Sequence, residues 1–196
     1  MSFTDLLQLK AACARIHDIV TVRLALALVT KLERRCGFSA TAAEKMRKAI
    51  NDLHPNAAGF DLDSADPNMI AEVKGNIPMN GGIFFGAAQV KGLTNDVLQM
   101  LGRPPAGKSQ NQLSPRAKIL RPKLADALKF VGLYDSPKVR AAVERWKNGL
   151  IRSKSWISTV AGIEELPETG HLSPDVVYLV YLAPEPLLPI VDLVAT

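Results

Sequence analysis

The segment DPNMIAEVKGNIP, residues 66–78, constrains the fold of this chain more than any other. Most of its residues are apolar, as in a buried strand, yet Glu72 and Lys74 lie inside the apolar run. Because the side chains of a strand alternate between two faces, both charges point to the same side of the sheet. Burying two charges is costly unless other groups compensate them. The segment therefore predicts a strand with a charged site on one face.

Composition places this strand in an ordinary globular protein. The chain has 196 residues, of which 47% are hydrophobic, enough for the core of a single domain. Its net charge of +5 favours a polyanionic partner. Two cysteines, Cys13 and Cys36, form neither a disulfide framework nor a metal cluster. The first ten residues lack the apolar centre of a signal peptide, and the longest apolar run, 19–30, contains Arg23 and is too short to cross a bilayer. We expect a cytoplasmic protein that does not enter a membrane.

The amino-terminal part, residues 1–55, has helical patterns. Thr4 is a suitable cap for a first helix. Residues 20–35 alternate as a strand would, but their Ala and Leu content, with Gly37 as a stop signal, favours a second helix. A third helix is predicted to begin at the capping box formed by Thr41 and the glutamate three positions later.

A hairpin is predicted to follow these helices. Residues 58–63 and 68–77 have the composition of strands, and 64–67 that of a tight turn. With the tip at 65–66, the numbers of paired residues sum to about 131, which places Asp61 opposite Ile70.

The rest of the chain alternates between helices and strands. The predicted architecture is α/β (or α+β), with a small mixed central sheet flanked by helices. We expect one domain, 1–196, composed of a helical amino-terminal elaboration at 1–55, a core at 56–183 and a Pro-rich tail at 184–196. The elements predicted after the hairpin are a helix over 87–101 ended by Gly102 and Pro104, a strand over 127–135, a helix over 137–149 with Ser136 as cap, and a strand over 176–183.

The predicted hairpin brings three charged residues to one face. The alternation puts Asp61 on the same side as Glu72 and Lys74, diagonal to Glu72. Two carboxylates and a nearby main-chain carbonyl suit a hard cation such as Mg²⁺. Such an ion would neutralise the carboxylates, lower the pKa of a bound water and offset charge on a phosphate. The pattern therefore predicts a metal site with Asp61 and Glu72 as ligands and Lys74 beside the attacking water.

The motif GFDLD…AEVKGN resembles that of the PD-(D/E)xK nuclease superfamily, which includes most type II restriction endonucleases. The resemblance implies that Asp61 and Glu72 bind Mg²⁺, with Mn²⁺ as a substitute, and that Lys74 positions and helps to deprotonate the attacking water. An E-x-K triplet is expected by chance about 0.7 times in a chain of this length, so its setting within a hairpin strand carries the likeness.

The resemblance covers roughly residues 56–146, where helix, strand and helix follow the motif as in the family core. Phe60 stands where the family often has proline, and only residues 20–28 offer a candidate for the family's first strand. The QxxxY signature of the exonuclease branch is absent, because Leu93 lies four residues after Gln89. The resemblance thus implies a restriction-like endonuclease core acting on double-stranded DNA as a homodimer. Two alternatives stay open: another nuclease of the superfamily, of repair or resolvase type, and a non-catalytic nucleic-acid-binding module.

Several other residues have two possible roles. Asp63 shares the face of Asp61 and is an alternative first ligand, although Asp is also common in turns. Glu44 is either an additional carboxylate or a capping residue. His54 and Asn56 hint at a histidine-metal nuclease, but a histidine before a helix-ending proline is usually a surface residue. Trp146 is either a core residue or a base-stacking platform.

Basic residues after the motif strand predict a DNA-binding surface. The segment 103–125 carries six positive charges and no compensating acid, so it either contacts phosphates or forms a solvated loop. The helix at 137–149 and the residues after it are also basic. The residues expected to contact DNA are Gln89, Lys91, Arg103, Lys108, Arg116, Lys118, Arg121 and Lys123.

Overall fold

A computed structural model of the chain describes residues 2–51, 60–75, 78–79, 82–83, 86–103, 124–154, 157 and 162–183. Its helices are α1 (Phe3–Cys36), α2 (Ala40–Asn51), α3 (Ala87–Met100) and α4 (Pro137–Arg152). Its strands are β1 (Leu62–Ala65), β2 (Asn68–Lys74), β3 (Pro78–Met79), β4 (Gly82–Ile83), β5 (Leu128–Tyr134), β6 (Gly162–Glu165) and β7 (Val176–Leu182).

The main sheet is mixed and five-stranded, in the order β1-β2-β5-β7-β6. Strand β1 is antiparallel to β2, whereas β2, β5, β7 and β6 run parallel. Helices α1 and α2 pack on one face and α3 and α4 on the other. This arrangement confirms the predicted mixed α/β architecture. In the described part of the chain, none of the helices has the length and apolar character needed to span a bilayer.

The core consists of two apolar clusters separated by the sheet. On the α1 side, Leu28 packs among residues that include Val73 and Phe130. On the α3 side, Val97 packs among residues that include Val131. Both faces of the central strands are therefore covered, as expected for a parallel sheet.

Residues 20–35 belong to a single helix that also includes the predicted first helix, so the prediction of two separate helices was wrong. The sequence at 20–35 fits both the strand period of two and the helical period of 3.6. Alternate residues over much of it are apolar, but the residues that are buried recur at helical spacing. Leu24, Leu28 and Leu32, four residues apart, are fully buried against the sheet. Because 20–28 is helical, no described residue before β1 supplies the strand that begins the family core.

The helix caps also differ from the predicted ones. Ser2, rather than Thr4, caps α1, and its side chain accepts a hydrogen bond from the Asp5 main-chain N–H. Ser39, rather than Thr41, precedes α2, and its hydroxyl accepts from the Ala42 N–H. In both cases the helix begins two residues earlier than predicted.

The predicted hairpin forms, but with its register shifted by two residues. Asp63, not Asp61, pairs with Ile70. The register shifts because the turn consists only of 66–67, which lets the strands pair up to the turn. A shift of two residues leaves every side chain on its predicted face. Leu62 pairs with Ala71, so extending this register by one residue places Asp61 directly opposite Glu72. The two carboxylates are therefore nearer to each other than in the predicted diagonal arrangement.

The later elements match their predictions closely. Helix α3, strand β5, helix α4 and strand β7 are present, and the Ser136 hydroxyl caps α4 by accepting from the Val139 N–H at 3.2 Å. Strand β6 was not predicted. The His54–Asn56 pair, the basic segment at 104–123 and the tail at 184–196 lie outside the described residues.

Candidate active site

The charged residues of the motif strand lie at the carboxyl end of β2, on the face covered by α3. Their neighbours Ala71 and Val73 point to the opposite face and join the cluster under α1. Glu72 is buried, with 7% of its surface exposed, and Lys74 is half-buried. The alternation expected from the sequence therefore holds, and the carboxylate is more deeply buried than a surface ion pair would be.

Asp61 is fixed to β2 by a main-chain contact. It precedes β1, and its Oδ2 accepts a hydrogen bond of 2.6 Å from the Val73 N–H. This bond anchors the carboxylate next to Glu72. Asp63 is exposed on β1 and pairs with Ile70, nearer the turn. The structure thus brings Asp61, rather than Asp63, to the motif strand.

A third carboxylate, not predicted from the sequence, comes from α3. Asp96 Oδ2 lies 2.7 Å from Lys74 Nζ, while Glu72 Oε2 lies 3.7 Å from the same nitrogen. Asp96 Oδ2 is itself buried, and it makes no hydrogen bond of good geometry within the described residues. At 2.7 Å the ammonium is close enough for a charge-assisted contact, and a carboxylate oxygen has capacity for a further donor or cation.

The carboxylates perturb one another strongly. Burial, together with the nearby charges of Asp61 and Asp96, raises the pKa of Glu72 to about 9. Burial also raises the pKa of Asp96, although the Lys74 ammonium opposes that shift. For Lys74, burial would lower the pKa, but the carboxylates of Asp96 and Glu72 outweigh burial and raise it. Without a further cation, Glu72 is protonated at neutral pH and Lys74 is charged.

This donor set fits a hard divalent cation. Fully ionised, the three carboxylates outnumber the single ammonium by two charges, and all of the donors are oxygens. Within the described residues, no three acidic, histidine or cysteine side chains are arranged around one common point as ligands. Mg²⁺ is commonly held by one or two carboxylates with water and phosphate completing its coordination. Asp61 and Glu72 are the pair suited to that role.

Glu44 does not join this site. It lies on α2, on the opposite face of the sheet, where its exposed carboxylate contacts Arg47 at 3.9 Å. It is not the capping residue either, because Ser39 caps this helix.

Helix α3 carries two of the residues expected to contact DNA. Gln89 Oε1 accepts a hydrogen bond from the Gly86 N–H at 3.1 Å and so caps the start of the helix. Lys91 and Arg103 are exposed at either end of α3. Their contact with DNA stays a prediction, as does that of Lys108, Arg116, Lys118, Arg121 and Lys123, which lie outside the described residues.

Trp146 is a core residue rather than a stacking platform. Its ring is buried between α4 and α3, with 7% of its surface exposed. The indole N–H donates to the Thr94 hydroxyl at 3.0 Å, so its polar atom is satisfied inside the protein.

Comparisons with protein-family models, with curated proteins and with solved structures found no match to this chain. Its function is therefore inferred from its residues and their geometry.

Proposed function

We propose that this protein is a Mg²⁺-dependent DNA endonuclease of the type II restriction kind. The observation that carries the proposal is the cluster at the end of β2, where Asp61 and Glu72 meet Lys74 in a largely buried setting. Burying several carboxylates destabilises a fold unless a cation compensates them. Strongly perturbed carboxylates in one cluster are also typical of catalytic sites.

The order of elements around the cluster supports the same class. The motif strand β2 leads into α3, then into the parallel strand β5 and into α4, the order that the resemblance implies. The amino-terminal side departs from the family, because the described residues before β1 form helices only. Likeness to a restriction-endonuclease core is thus part of the proposal and rests on the motif and on the elements that follow it.

Each residue of the cluster has a separate role. Asp61 and Glu72 would hold Mg²⁺, which supplies a bound water of lowered pKa and offsets charge on the phosphate. Lys74 stays protonated, because Asp96 and Glu72 raise its pKa, and it is therefore suited to donate hydrogen bonds to a water or a phosphate oxygen. Asp96 holds the Lys74 ammonium in place and is a positioning residue. This geometry favours Lys74 as an orienting donor over a role in removing a proton.

Double-stranded DNA is the proposed substrate, with a homodimer as the acting form. The net charge of +5 favours a polyanion. Replacing Arg116, Lys118 and Arg121 together by Gln should flatten the dependence of log K on log salt by roughly two to three units if each contacts a phosphate. Binding measured in Ca²⁺ at several salt concentrations tests this, and an unchanged slope would assign the segment to a solvated loop.

Plasmid cleavage tests the catalytic proposal directly. Supercoiled plasmid is incubated with the wild type, Glu72→Gln and Glu44→Gln, each with Mg²⁺, with Mn²⁺ and with EDTA. The wild type and Glu44→Gln should nick or linearise the plasmid with either metal, because Glu44 is an exposed acid on the opposite face. Glu72→Gln should lose cleavage while it still binds DNA in Ca²⁺.

The pattern of products separates the remaining alternatives. A fixed set of bands indicates sequence-specific restriction, whereas a smear indicates another nuclease of the superfamily. DNA binding by the wild type without cleavage in any metal would assign the chain to the non-catalytic binding modules. Equal cleavage by Glu72→Gln and wild type would contradict the proposed site.

A further inference from the structure

An open cavity of about 830 Å³ lies between α1 and the carboxyl ends of β5, β6 and β7. Its volume is within the range of small-molecule sites. The carboxyl ends of parallel strands are also the edge at which open α/β sheets bind their ligands. The cavity lies on the α1 side of the sheet, at the ends of β5, β6 and β7. The carboxylate cluster lies on the α3 side, at the end of β2, so the two sites are distinct.

One stripe of α1 lines the cavity with positive charge. Arg23, Lys31 and Arg34 recur at helical spacing and are exposed, and Arg35 stands next to them. Lys31 Nζ donates to the main-chain oxygen of Tyr181 at 3.1 Å. The Arg35 guanidinium likewise donates to main-chain oxygens of the loop after β6. These carbonyl contacts orient the two cations without neutralising them.

The acids of the cavity do not balance these charges. Asp135, at the end of β5, is held by a two-pronged contact from Arg140 of α4, at 2.6 and 3.0 Å. Glu168 is the other acid in the lining, and it is exposed. Arg23 and Arg34 make no ion pair with a described residue. The described lining thus has four cations and two carboxylates, one of which is already paired with Arg140.

The floor of the cavity is apolar. Leu26 and Ala27 of α1 line it together with Leu166 and Leu182 at the ends of β6 and β7. A ligand that fits this lining has an anionic group for the arginines and a flat or apolar part for the floor. Arginine in particular suits the oxygens of a phosphate, because its planar group donates two parallel hydrogen bonds.

We propose that this cavity binds a phosphorylated small molecule of nucleotide size, with Arg23 and Arg34 as phosphate ligands. The site is independent of the proposed nuclease function, since it uses other residues on another face of the sheet. Phosphate is favoured over a carboxylate because four cations line the cavity, more than a single negative charge requires.

Calorimetric titration in EDTA tests this proposal without any cleavage reaction. The probes are AMP, ATP, inorganic phosphate and adenosine, added to the wild type, to Arg23→Gln/Arg34→Gln and to Arg145→Gln/Arg152→Gln. The last variant removes the same charge from exposed positions of α4 and serves as the matched control. Circular dichroism confirms that each variant is folded.

The wild type and the α4 control should bind AMP and ATP, with ATP tighter, while adenosine binds weakly. Arg23→Gln/Arg34→Gln should weaken ATP binding by roughly tenfold or more, since charge-assisted contacts to phosphate are lost. Absence of binding by every phosphate probe at millimolar concentration would overturn the proposal. So would equal losses in both double variants, which would show a general charge effect.

A duplex oligonucleotide distinguishes the DNA backbone as a source of the phosphate. If the duplex binds in a manner that depends on Arg23 and Arg34 while AMP and phosphate do not, the cavity belongs to a DNA surface and the small-molecule proposal fails. Plasmid cleavage by Arg23→Gln/Arg34→Gln at the wild-type rate, with ATP binding lost, would show that the two sites are separate.

Discussion

At the carboxyl end of strand β2 the two faces are opposite in character although their residues alternate along one chain. Ala71 and Val73 enter a cluster of hydrophobic side chains under α1. Glu72, which lies between them, and Lys74, which follows Val73, enter a charged cluster under α3. Burial stabilises the fold on the first face and destabilises it on the second. The cost of burying this charged cluster is the physical reason for proposing a function for it.

The largest loss of stability is expected from a substitution in the apolar cluster on the α1 side of the sheet. Leu28 is fully buried between α1 and the sheet. Leu28→Ala should lower the free energy of unfolding by about 2–5 kcal/mol, because it removes buried methyl groups and leaves a cavity. Urea denaturation followed by circular dichroism measures this change. A loss below about 1 kcal/mol would indicate that α1 is loosely attached to the sheet.

Close packing on the same face predicts the next effect. A Cβ atom on Gly132 of β5 would lie 3.1 Å from Leu182 Cδ1 and 3.4 Å from both Leu28 Cδ2 and Val73 Cγ2. These side chains are buried among one another and have little room to move. Gly132→Ala should therefore destabilise the protein by about 1–3 kcal/mol.

Gly149→Ala provides the matched control for this substitution. Gly149 lies in α4 with no atom within 4 Å of an added Cβ, so the same change should stabilise the protein by about 0.5–1 kcal/mol through helix propensity. Thermal unfolding of both variants checks the contrast. Equal effects of the two substitutions would contradict the tight contact at Gly132.

The charged face was only partly predictable from the sequence. The alternation of β2 determines which residues share a face, and it predicted the grouping of Asp61, Glu72 and Lys74 correctly. The register was wrong by two residues, because alternation repeats every two residues and does not report the length of the turn. The face on which a strand residue lies is thus predicted more reliably than its pairing partner on the next strand.

Asp96 was missed, although its signal was present. It lies between Leu93 and Val97 on the buried stripe of α3, where an apolar residue is expected. An acid that interrupts an apolar helical stripe is the same anomaly as Glu72 in an apolar strand. Strand β6 had no comparable signal, because its four residues form a short and largely exposed edge. Contacts between distant segments, such as that of Asp96 with Lys74, become visible only when the elements are packed.

Substitution of Asp96 is expected to have an intermediate effect on activity. Asp96→Asn removes the charge that holds the Lys74 ammonium but leaves Asp61 and Glu72 in place. If the proposed nuclease function is correct, cleavage should slow by about tenfold, equivalent to about 1.4 kcal/mol of transition-state stabilisation. Metal affinity should change little, because Asp96 is not one of the two proposed ligands. Cleavage rates measured over a range of Mg²⁺ concentrations separate the two effects.

The result for Asp96→Asn has a clear alternative. If the variant needs much more Mg²⁺ but reaches the wild-type rate, Asp96 is a metal ligand rather than a positioning residue. Asp175→Asn, an exposed acid on the loop before β7, is a control with the same chemical change and should cleave as the wild type does.

The last expected effect has the opposite sign to that of Leu28→Ala. In the folded, metal-free protein Glu72 keeps its proton up to a pKa of about 9, whereas in the unfolded chain it loses the proton near its ordinary value of 4.5. The unfolded state therefore binds fewer protons between these values, and stability decreases as pH rises from about 4.5 to about 9. Glu72→Gln removes this titration and should raise the Tm of the protein in EDTA at pH 7.5.

The pH dependence of this stabilisation is the decisive measurement. The difference in Tm between Glu72→Gln and wild type should be near zero below about pH 4.5 and should grow steadily towards pH 9, since only the wild type loses stability by this route. Glu44→Gln, at an exposed position of α2, should show a small difference at every pH. Mg²⁺ should raise the Tm of the wild type more than that of Glu72→Gln, because the ion compensates a carboxylate that the variant lacks. A difference in Tm that stays constant across the pH range would mean that Glu72 ionises normally in the folded protein. The two faces of β2 would then differ in how their side chains pack and not in the cost of burying charge.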